Sequence, residues 1–156
     1  MTKLKLIALA AVAAAALAVS SAGAAGGGPK TQTLRFFDKP TSLTLTAPDG
    51  KVIDKPPYPE PKPGDVLDVY SVDFAGNHRH HAKRWTASSH VRCVFGAGAP
   101  DCKSETAVGG SLLLFSGNPG TLTGGAGRYA GATGRVLKNK EVKGGSDIVV
   151  RIRLAG

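Results

Sequence analysis

Residues 122–136 read Leu-Thr-Gly-Gly-Ala-Gly-Arg-Tyr-Ala-Gly-Ala-Thr-Gly-Arg-Val, the most distinctive stretch of this chain. Glycine permits a positive φ and a close approach of neighbouring backbone, and here the glycines lead into residues typical of β-strands. The stretch is therefore predicted to be a glycine-rich turn followed by a strand. A phosphate-binding loop is excluded, because its mechanism requires the N-terminus of a helix directly after the glycines. The glycines predicted to be structural are Gly124, Gly125, Gly127, Gly131 and Gly134.

Short segments with a two-residue hydrophobic period lie on both sides of this stretch. The clearest is Asp147–Leu154, in which Ile148 and Val150 share one face while Arg151 takes the other. No segment shows the 3.6-residue period of an amphipathic helix. The other candidate strands are Thr33–Phe37, Ser42–Ala47, Val66–Phe74, Trp85–Phe95, Lys103–Val108, Ser111–Ser116, Thr121–Thr123 and Gly131–Leu137. About eight short strands separated by turn residues predict an all-β protein, either a sandwich or a closed barrel.

The first 24 residues have the pattern of a secretory signal peptide. Two lysines precede an apolar run from Leu6 to Val19, and the small residues Ala22-Gly23-Ala24 follow. An uncleaved membrane anchor is the less favoured alternative, because the run is shorter than the roughly 20 residues that span a bilayer. Cleavage near Ala24 predicts a secreted protein with no membrane span. It leaves a glycine-rich, disordered segment at 25–31 and a single domain at 32–156.

The two cysteines, Cys93 and Cys102, are predicted to form a disulfide. Gly96, Gly98 and Pro100 lie between them and let the chain fold back on itself. In an exported protein such a pair is typical of a cross-link within a loop. The spacing fits neither a redox pair nor half of a zinc site, and two free thiols are the alternative.

The net charge of +9 raises the question of a polyanionic partner. The basic residues are scattered, and aromatic side chains do not interleave with them as a nucleic-acid stacking platform requires. One basic cluster occurs, at residues 78–84. The composition therefore predicts a solvated basic surface without a specific nucleic-acid site.

Three histidines in that cluster raise the question of a metal site. His78 and His80 share one face of a strand, while His81 points away from them. Two imidazoles hold Zn²⁺ only weakly, and no third ligand of fixed spacing follows. A solvent-facing hairpin without metal is therefore predicted.

The segment Ser111–Ser116 is apolar on both faces. On a barrel one face lines the interior, and the other needs cover from a second subunit or from a crossing segment of the chain. An exposed apolar outer face invites aggregation, so this segment favours an oligomer.

The glycine-rich block resembles the hallmark of the allene oxide cyclase and dirigent families: Gly-Gly-x-Gly, an aromatic residue, then Gly-x-x-Gly-x-Val. The order of the other segments is similar over residues 64–154. The resemblance implies an eight-stranded antiparallel (calycin-like) β-barrel, often a homotrimer. It implies an apolar lumen that binds a hydrophobic or phenolic small molecule and steers ring closure or coupling, with no metal or organic cofactor.

Two positions depart from the pattern of plant dirigent proteins. The residue after Gly-Gly-x-Gly is often an acid in that family, and here it is Arg128. An arginine commonly precedes the last glycine of the block, and here Thr133 stands there. The resemblance therefore supports the fold more strongly than it supports the dirigent reaction.

Five residues are candidates for the chemistry. Asp68 shares a strand face with Tyr70 and apolar residues, so burial is expected to raise its pKa and suit it to act as general acid or base. Tyr70 would donate a hydrogen bond to a carbonyl or phenoxyl group. His90 and Arg92 bind ligand if their face of the strand looks inward, and Tyr129 lies at the barrel mouth, where it packs or contacts ligand.

These observations support two hypotheses of different class. The first is a secreted barrel that binds a hydrophobic or phenolic molecule, as a cofactor-free cyclase, isomerase or dirigent-type guide. The second is a non-catalytic protein of the cell envelope or extracellular space that retains the fold. A spacious lumen with inward polar groups favours the first, and an interior filled by side chains favours the second.

Overall fold

The computed structural model describes residues 30–156, so the predicted signal peptide (1–24) and most of the glycine-rich segment (25–31) lie outside the described residues. The described part is all β apart from one 3-10 turn, Gly127–Tyr129. None of its helices is long and apolar enough to cross a membrane. The strands are β1 (Thr31–Thr46), β2 (Val52–Ile53), β3 (Val66–Asn77), β4 (His80–His81), β5 (Ala87–Val94), β6 (Asp101–Val108), β7 (Ser111–Ser116), β8 (Thr121–Ala126), β9 (Thr133–Val142) and β10 (Gly145–Arg153).

Eight of these strands close into an antiparallel barrel. Their order is β1-β10-β9-β8-β7-β6-β5-β3, and β3 pairs with β1 to complete the circle. The short strands β2 and β4 pair only with β1 and β3 respectively, outside the circle. The predicted all-β, eight-stranded antiparallel barrel is confirmed.

The first barrel strand joins two segments that the sequence predicts to be separate. Thr33–Phe37 and Ser42–Ala47 both belong to β1, which bends at a bulge between Pro40 and Ser42. Proline has no N–H to donate to a ladder, so a bulge is where a strand accommodates it. One continuous bent strand therefore pairs with β10 through its first half and with β3 through most of its length.

The barrel interior contains two apolar clusters. The larger cluster is Leu34, Phe36, Ala87, Val108, Leu113, Phe115, Leu122, Tyr129, Ala132, Val136, Ile148, Val150 and Ile152. The smaller cluster is Leu45, Leu67, Val69, Val91, Cys93 and Cys102. All of these residues are at most 7% exposed, so side chains closely fill the barrel interior in both clusters.

Cys93 and Cys102 form the predicted disulfide between β5 and β6. The two residues are direct cross-strand partners, and both side chains are buried in the smaller cluster. The bond therefore closes the β5–β6 hairpin from inside the barrel.

Replacing both cysteines, as Cys93→Ala/Cys102→Ala, is expected to lower the free energy of unfolding by about 2–3 kcal/mol. The bond restricts a short loop of the unfolded chain, and its loss restores that chain entropy. Alanine is chosen because a serine hydroxyl would be buried without a partner. Urea unfolding of the variant and of the oxidised protein, at one pH, measures the difference. Equal midpoints and slopes would contradict the prediction.

Candidate functional site

Six polar side chains point into the middle of the barrel and form a band that we call the polar belt. Each is at most 5% exposed, although polar residues are rarely this buried unless they are paired. The belt consists of Ser146 on β10, Asp38 on β1, Ser71 and Asp73 on β3, Ser89 on β5 and Thr106 on β6.

The belt is continuous across five neighbouring strands. Asp38 is the direct cross-strand partner of both Ser146 and Asp73, and Ser89 is the partner of both Ser71 and Thr106. It also separates the two apolar clusters. On β5, for example, Ser89 lies between Ala87 of the larger cluster and Val91 of the smaller one. Most buried polar side chains of residues 30–156 thus lie in one layer of the interior, and the exception is Asp65, which directly precedes β3.

The centre of the belt is a pair of carboxyl groups, Asp38 and Asp73. Burial, and after it the nearby charge of Asp38, raise the pKa of Asp73 to about 9. Ser89 Oγ donates a 2.9 Å hydrogen bond to Asp73 Oδ2, which partly offsets the rise. Burial also raises the pKa of Asp38, to about 6. Two carboxylates side by side in an apolar interior repel each other, so the pair retains a proton near neutral pH.

The belt carries unused hydrogen-bonding capacity. Five of its buried oxygens make no hydrogen bond of standard geometry among the described residues: Asp38 Oδ2, Ser71 Oγ, Asp73 Oδ1, Thr106 Oγ1 and Ser146 Oγ. Ser71 and Asp73 nevertheless lie close enough to Asp38 to lower its pKa. Each unsatisfied buried group costs about 1–3 kcal/mol. Such groups call for an explanation in any protein, and one explanation is that they meet a bound molecule. A protonated carboxyl beside an ionised one supplies both a proton donor and a proton acceptor.

The four residues predicted for chemistry on β3 and β5 lie together, but on the outside of the barrel. Arg92 Nη1 donates to Asp68 at 3.1 Å (Oδ1) and 2.8 Å (Oδ2), and His90 Nε2 lies 2.8 Å from Asp68 Oδ1. The His90 ring stacks on Tyr70 with centroids 4.3 Å apart. Tyr70 is 51% exposed. Asp68 therefore faces outward and not into the apolar interior as predicted. Its carboxylate is partly buried against Arg92 and His90, which are polar neighbours, so the prediction of apolar burial, on which its acid–base role rested, is wrong.

The other face of β3, whose residues alternate with Asp68 and Tyr70, points inward because its apolar residues pack in the barrel interior. Leu67 and Val69 pack into the smaller cluster, and Ser71 and Asp73 follow them on the same face. Both faces of this segment carry an acid among apolar residues, so alternation alone does not choose between them. The outer aromatic residue Phe74 is covered locally, by Phe37 and His81 at 6.4 and 5.1 Å between ring centroids.

His90 and Arg92, predicted to bind ligand, border an open groove of about 540 Å³ on the outer surface of β5 to β8. Leu114 of the apolar segment Ser111–Ser116 lines the same groove and is half-buried, while Leu113 points inward. As predicted, Ser111–Ser116 therefore has an apolar side chain, Leu114, on the outer surface of the single chain.

Tyr129 is completely buried in the larger cluster rather than open at the mouth. Its hydroxyl accepts a hydrogen bond from the Arg128 guanidinium, which also lies 4.7 Å from the ring centroid. Burial raises the pKa of Tyr129, and the Arg128 charge partly offsets this rise. Arg128, where dirigent proteins often have an acid, thus holds a core tyrosine.

The glycines of the block differ in what they require. A Cβ on Gly125 or Gly134 would lie within 2.6 Å of a backbone carbonyl oxygen, and Gly127 and Gly131 have φ of +64° and +68°. A Cβ on Gly124 would contact only the Leu114 side chain, at an ordinary van der Waals distance of 3.5 Å. The backbone therefore requires glycine at four of the five positions.

The histidine cluster makes a structural contact. His78 donates its backbone N–H to Asp147 Oδ1 at 2.7 Å, and its ring Nδ1 lies 2.6 Å from Asp147 Oδ2. This bidentate contact holds the β3–β4 turn against β10. Within residues 30–156 no three His, Cys, Asp or Glu side chains are grouped so as to hold a metal ion.

Neither a known protein family nor a curated protein matches this sequence. Among solved structures, the barrel is similar to the pterocarpan synthase dirigent protein GePTS1, with a TM-score of 0.52. The alignment covers 89% of this chain and 96% of that chain, at 17% sequence identity. At that identity the likeness shows the fold, so the predicted dirigent-type barrel is confirmed as an architecture.

Proposed function

We propose that this protein is an exported barrel that binds a hydrophobic or phenolic small molecule at the polar belt and guides its ring closure, as a dirigent-type protein. The observation that carries the proposal is the Asp38–Asp73 pair, set among unpartnered hydroxyls between two apolar clusters. The apolar clusters would hold the carbon skeleton, and the belt would orient its oxygen atoms.

The chemistry suited to the pair is a redox-neutral cyclisation. A hydroxyl of the bound molecule loses its proton to the ionised carboxylate as its oxygen bonds to an electrophilic carbon. The displaced electron pair moves to a conjugated carbonyl oxygen, which takes a proton from the other carboxyl. One proton enters the pair and one leaves it, so the reaction needs no cofactor and amounts to an isomerisation.

Ligand entry is proposed at the end of the barrel that holds the smaller cluster. That end contains six buried apolar residues against thirteen in the larger cluster, so fewer side chains move aside. The outward half-buried Leu112 and Leu114 are proposed to be covered in a homotrimer, in line with the predicted assembly.

A non-catalytic extracellular role is the second candidate, and a specific observation favours it. The buried members of the two clusters and the side chains of the belt are at most 7% exposed, so the interior is filled. Small barrels filled in this way often serve only as scaffolds.

Native mass spectrometry of the secreted protein, after exposure to phenolic and lipid extracts, tests these candidates. We expect a trimer that gains one small mass per subunit. Asp38→Asn is expected to weaken that binding roughly tenfold, by loss of a charge-assisted hydrogen bond. Asp68→Asn, on the outer surface, serves as the matched control and is expected to bind normally. A protein that gains no mass, or an Asp38→Asn variant that binds unchanged, would favour the non-catalytic role.

A further inference from the structure

The charges on the outside of the barrel are unevenly distributed. Exposed basic side chains occupy the outer surfaces of three adjacent strands, β9, β10 and β1, and we call this surface the basic face. Its members alternate with buried residues such as Val150 and Ile152, so they point away from the core. The basic face consists of Arg35, Arg135, Lys138, Arg151 and Arg153.

Strand pairing brings these residues into three consecutive rows. Arg151 is the cross-strand partner of Arg135 and of Thr33, and Val149 lies between Arg35 and Lys138. Arg153 occupies the third row, between Thr31 and Thr133. Strands lie about 4.8 Å apart and alternate residues about 7 Å apart, so the Cα atoms of the five residues fall within about 10 by 14 Å.

These five cations have no acidic partner among residues 30–156. None of them forms a salt bridge or a side-chain hydrogen bond within the part of the chain that the structure describes. Two acids near them, Glu141 and Asp147, lie at one end of the strands. Glu141 is exposed, whereas Asp147 is half-buried and contacts His78. By contrast, Arg92 on the opposite side of the barrel is paired with Asp68.

The arrangement lowers stability unless an anion is bound. Like charges directly opposite each other on a sheet destabilise it, and Arg135 and Arg151 are such a pair. Guanidinium groups bind oxyanions through two parallel hydrogen bonds, so a partner with repeated acidic groups would relieve the repulsion.

We propose that the basic face binds a linear acidic polysaccharide, with carboxylate or sulfate groups spaced along its chain. The hydroxyls of Thr31, Thr33 and Thr133 lie in the same rows and suit hydrogen bonds to sugar hydroxyls. The three rows contain no aromatic side chain on which the bases of a single-stranded nucleic acid would stack. This binding is independent of the proposed function inside the barrel.

The test compares two triple variants of equal net charge. Arg135→Gln/Lys138→Gln/Arg151→Gln removes two arginines and one lysine from the basic face. Arg79→Gln/Lys83→Gln/Arg84→Gln removes the same residue types from the exposed cluster near the β3–β4 turn. Binding of the full-length proteins to heparin and to polygalacturonate is measured by calorimetry in about 0.1 M salt, where screening still permits contact-range attraction.

We expect saturable binding of the wild type to at least one of the two polysaccharides. The basic-face variant should bind roughly tenfold more weakly, and the control variant within about threefold of wild type. Arg151→Glu alone reverses the central charge and keeps the test valid if the triple variant does not fold. Equal losses in both triple variants would show that only net charge matters and would overturn the proposal. So would an absence of saturable binding, or tighter binding to duplex DNA or to anionic phosphatidylglycerol vesicles.

Discussion

Asp73→Asn is expected to stabilise the protein at alkaline pH, and its stabilising effect at pH 8.5 should exceed its effect at pH 6.5 by about 3 kcal/mol. Burial raises the pKa of Asp73 to about 9, whereas in the unfolded chain the group titrates near its ordinary value of 3.8. Between those values the folded protein binds one more proton than the unfolded chain. Stability therefore falls as pH rises through this window, by about 3 kcal/mol over the two units from pH 6.5 to 8.5.

The amide of asparagine imitates the protonated carboxyl and cannot ionise. Its oxygen can still accept the hydrogen bond from Ser89, which is 2.9 Å long in the wild type. The window from pH 6.5 to 8.5 isolates Asp73, because the pKa of Asp38 is raised only to about 6 and that group is already ionised there. Urea unfolding of both proteins across the window measures the slope.

Asp101→Asn is the matched control for this experiment. Asp101 is an exposed carboxyl at the start of β6, and no ion pair joins it to a histidine within the described residues. The control should show the same pH slope as wild type. Parallel curves for wild type and Asp73→Asn would mean that Asp73 is ionised in the folded protein, and the proton-sharing pair would have to be abandoned.

Gly134→Ala is expected to destabilise the barrel by about 3 kcal/mol, or roughly 10 °C in Tm. A Cβ at this position would lie 2.3 Å from the carbonyl oxygen of Arg151 and 3.1 Å from the Cα of Ile152. Both atoms belong to the backbone of β10, the direct partner of β9, so no side chain can move aside to relieve the contact. Either the strands separate locally or the β9–β10 pairing shifts.

Gly96→Ala provides the comparison, since an added Cβ there meets nothing within 4 Å. The control variant should unfold within about 0.5 kcal/mol of wild type. Thermal unfolding followed by circular dichroism distinguishes the two variants. Equal Tm values for the two variants would contradict the explanation that close packing of the β9 and β10 backbones requires glycine at position 134.

Much of the architecture follows from local sequence. Period-two segments and the turns between them predict eight barrel strands, and the hairpin cysteines predict the Cys93–Cys102 bond. Thr33–Phe37 and Ser42–Ala47 appear as two segments because Asp38, Lys39 and Pro40 interrupt the strand-forming residues. Aspartate and proline are depleted in strands, so the predicted strand stops just before the aspartate that proves to be central.

The candidate site could not be found in the same way. Asp68 and Asp73 lie on opposite faces of one strand, and each face contains apolar residues, so alternation alone leaves two equivalent choices. Barrel closure decides between them, because the pairing of β3 with both β1 and β5 turns Leu67, Val69, Ser71 and Asp73 inward. The meeting of Asp38 with Asp73 arises from that same long-range register.

Strand content, turn chemistry and the disulfide follow from local sequence, because each depends on residues that are close together along the chain. Barrel closure sets which face of each strand is buried, which acids share a proton and which cations lie side by side. These features depend on strand register around a closed barrel. A shift of one residue would exchange the inner and outer faces, and only the summed packing of all eight strands selects between them.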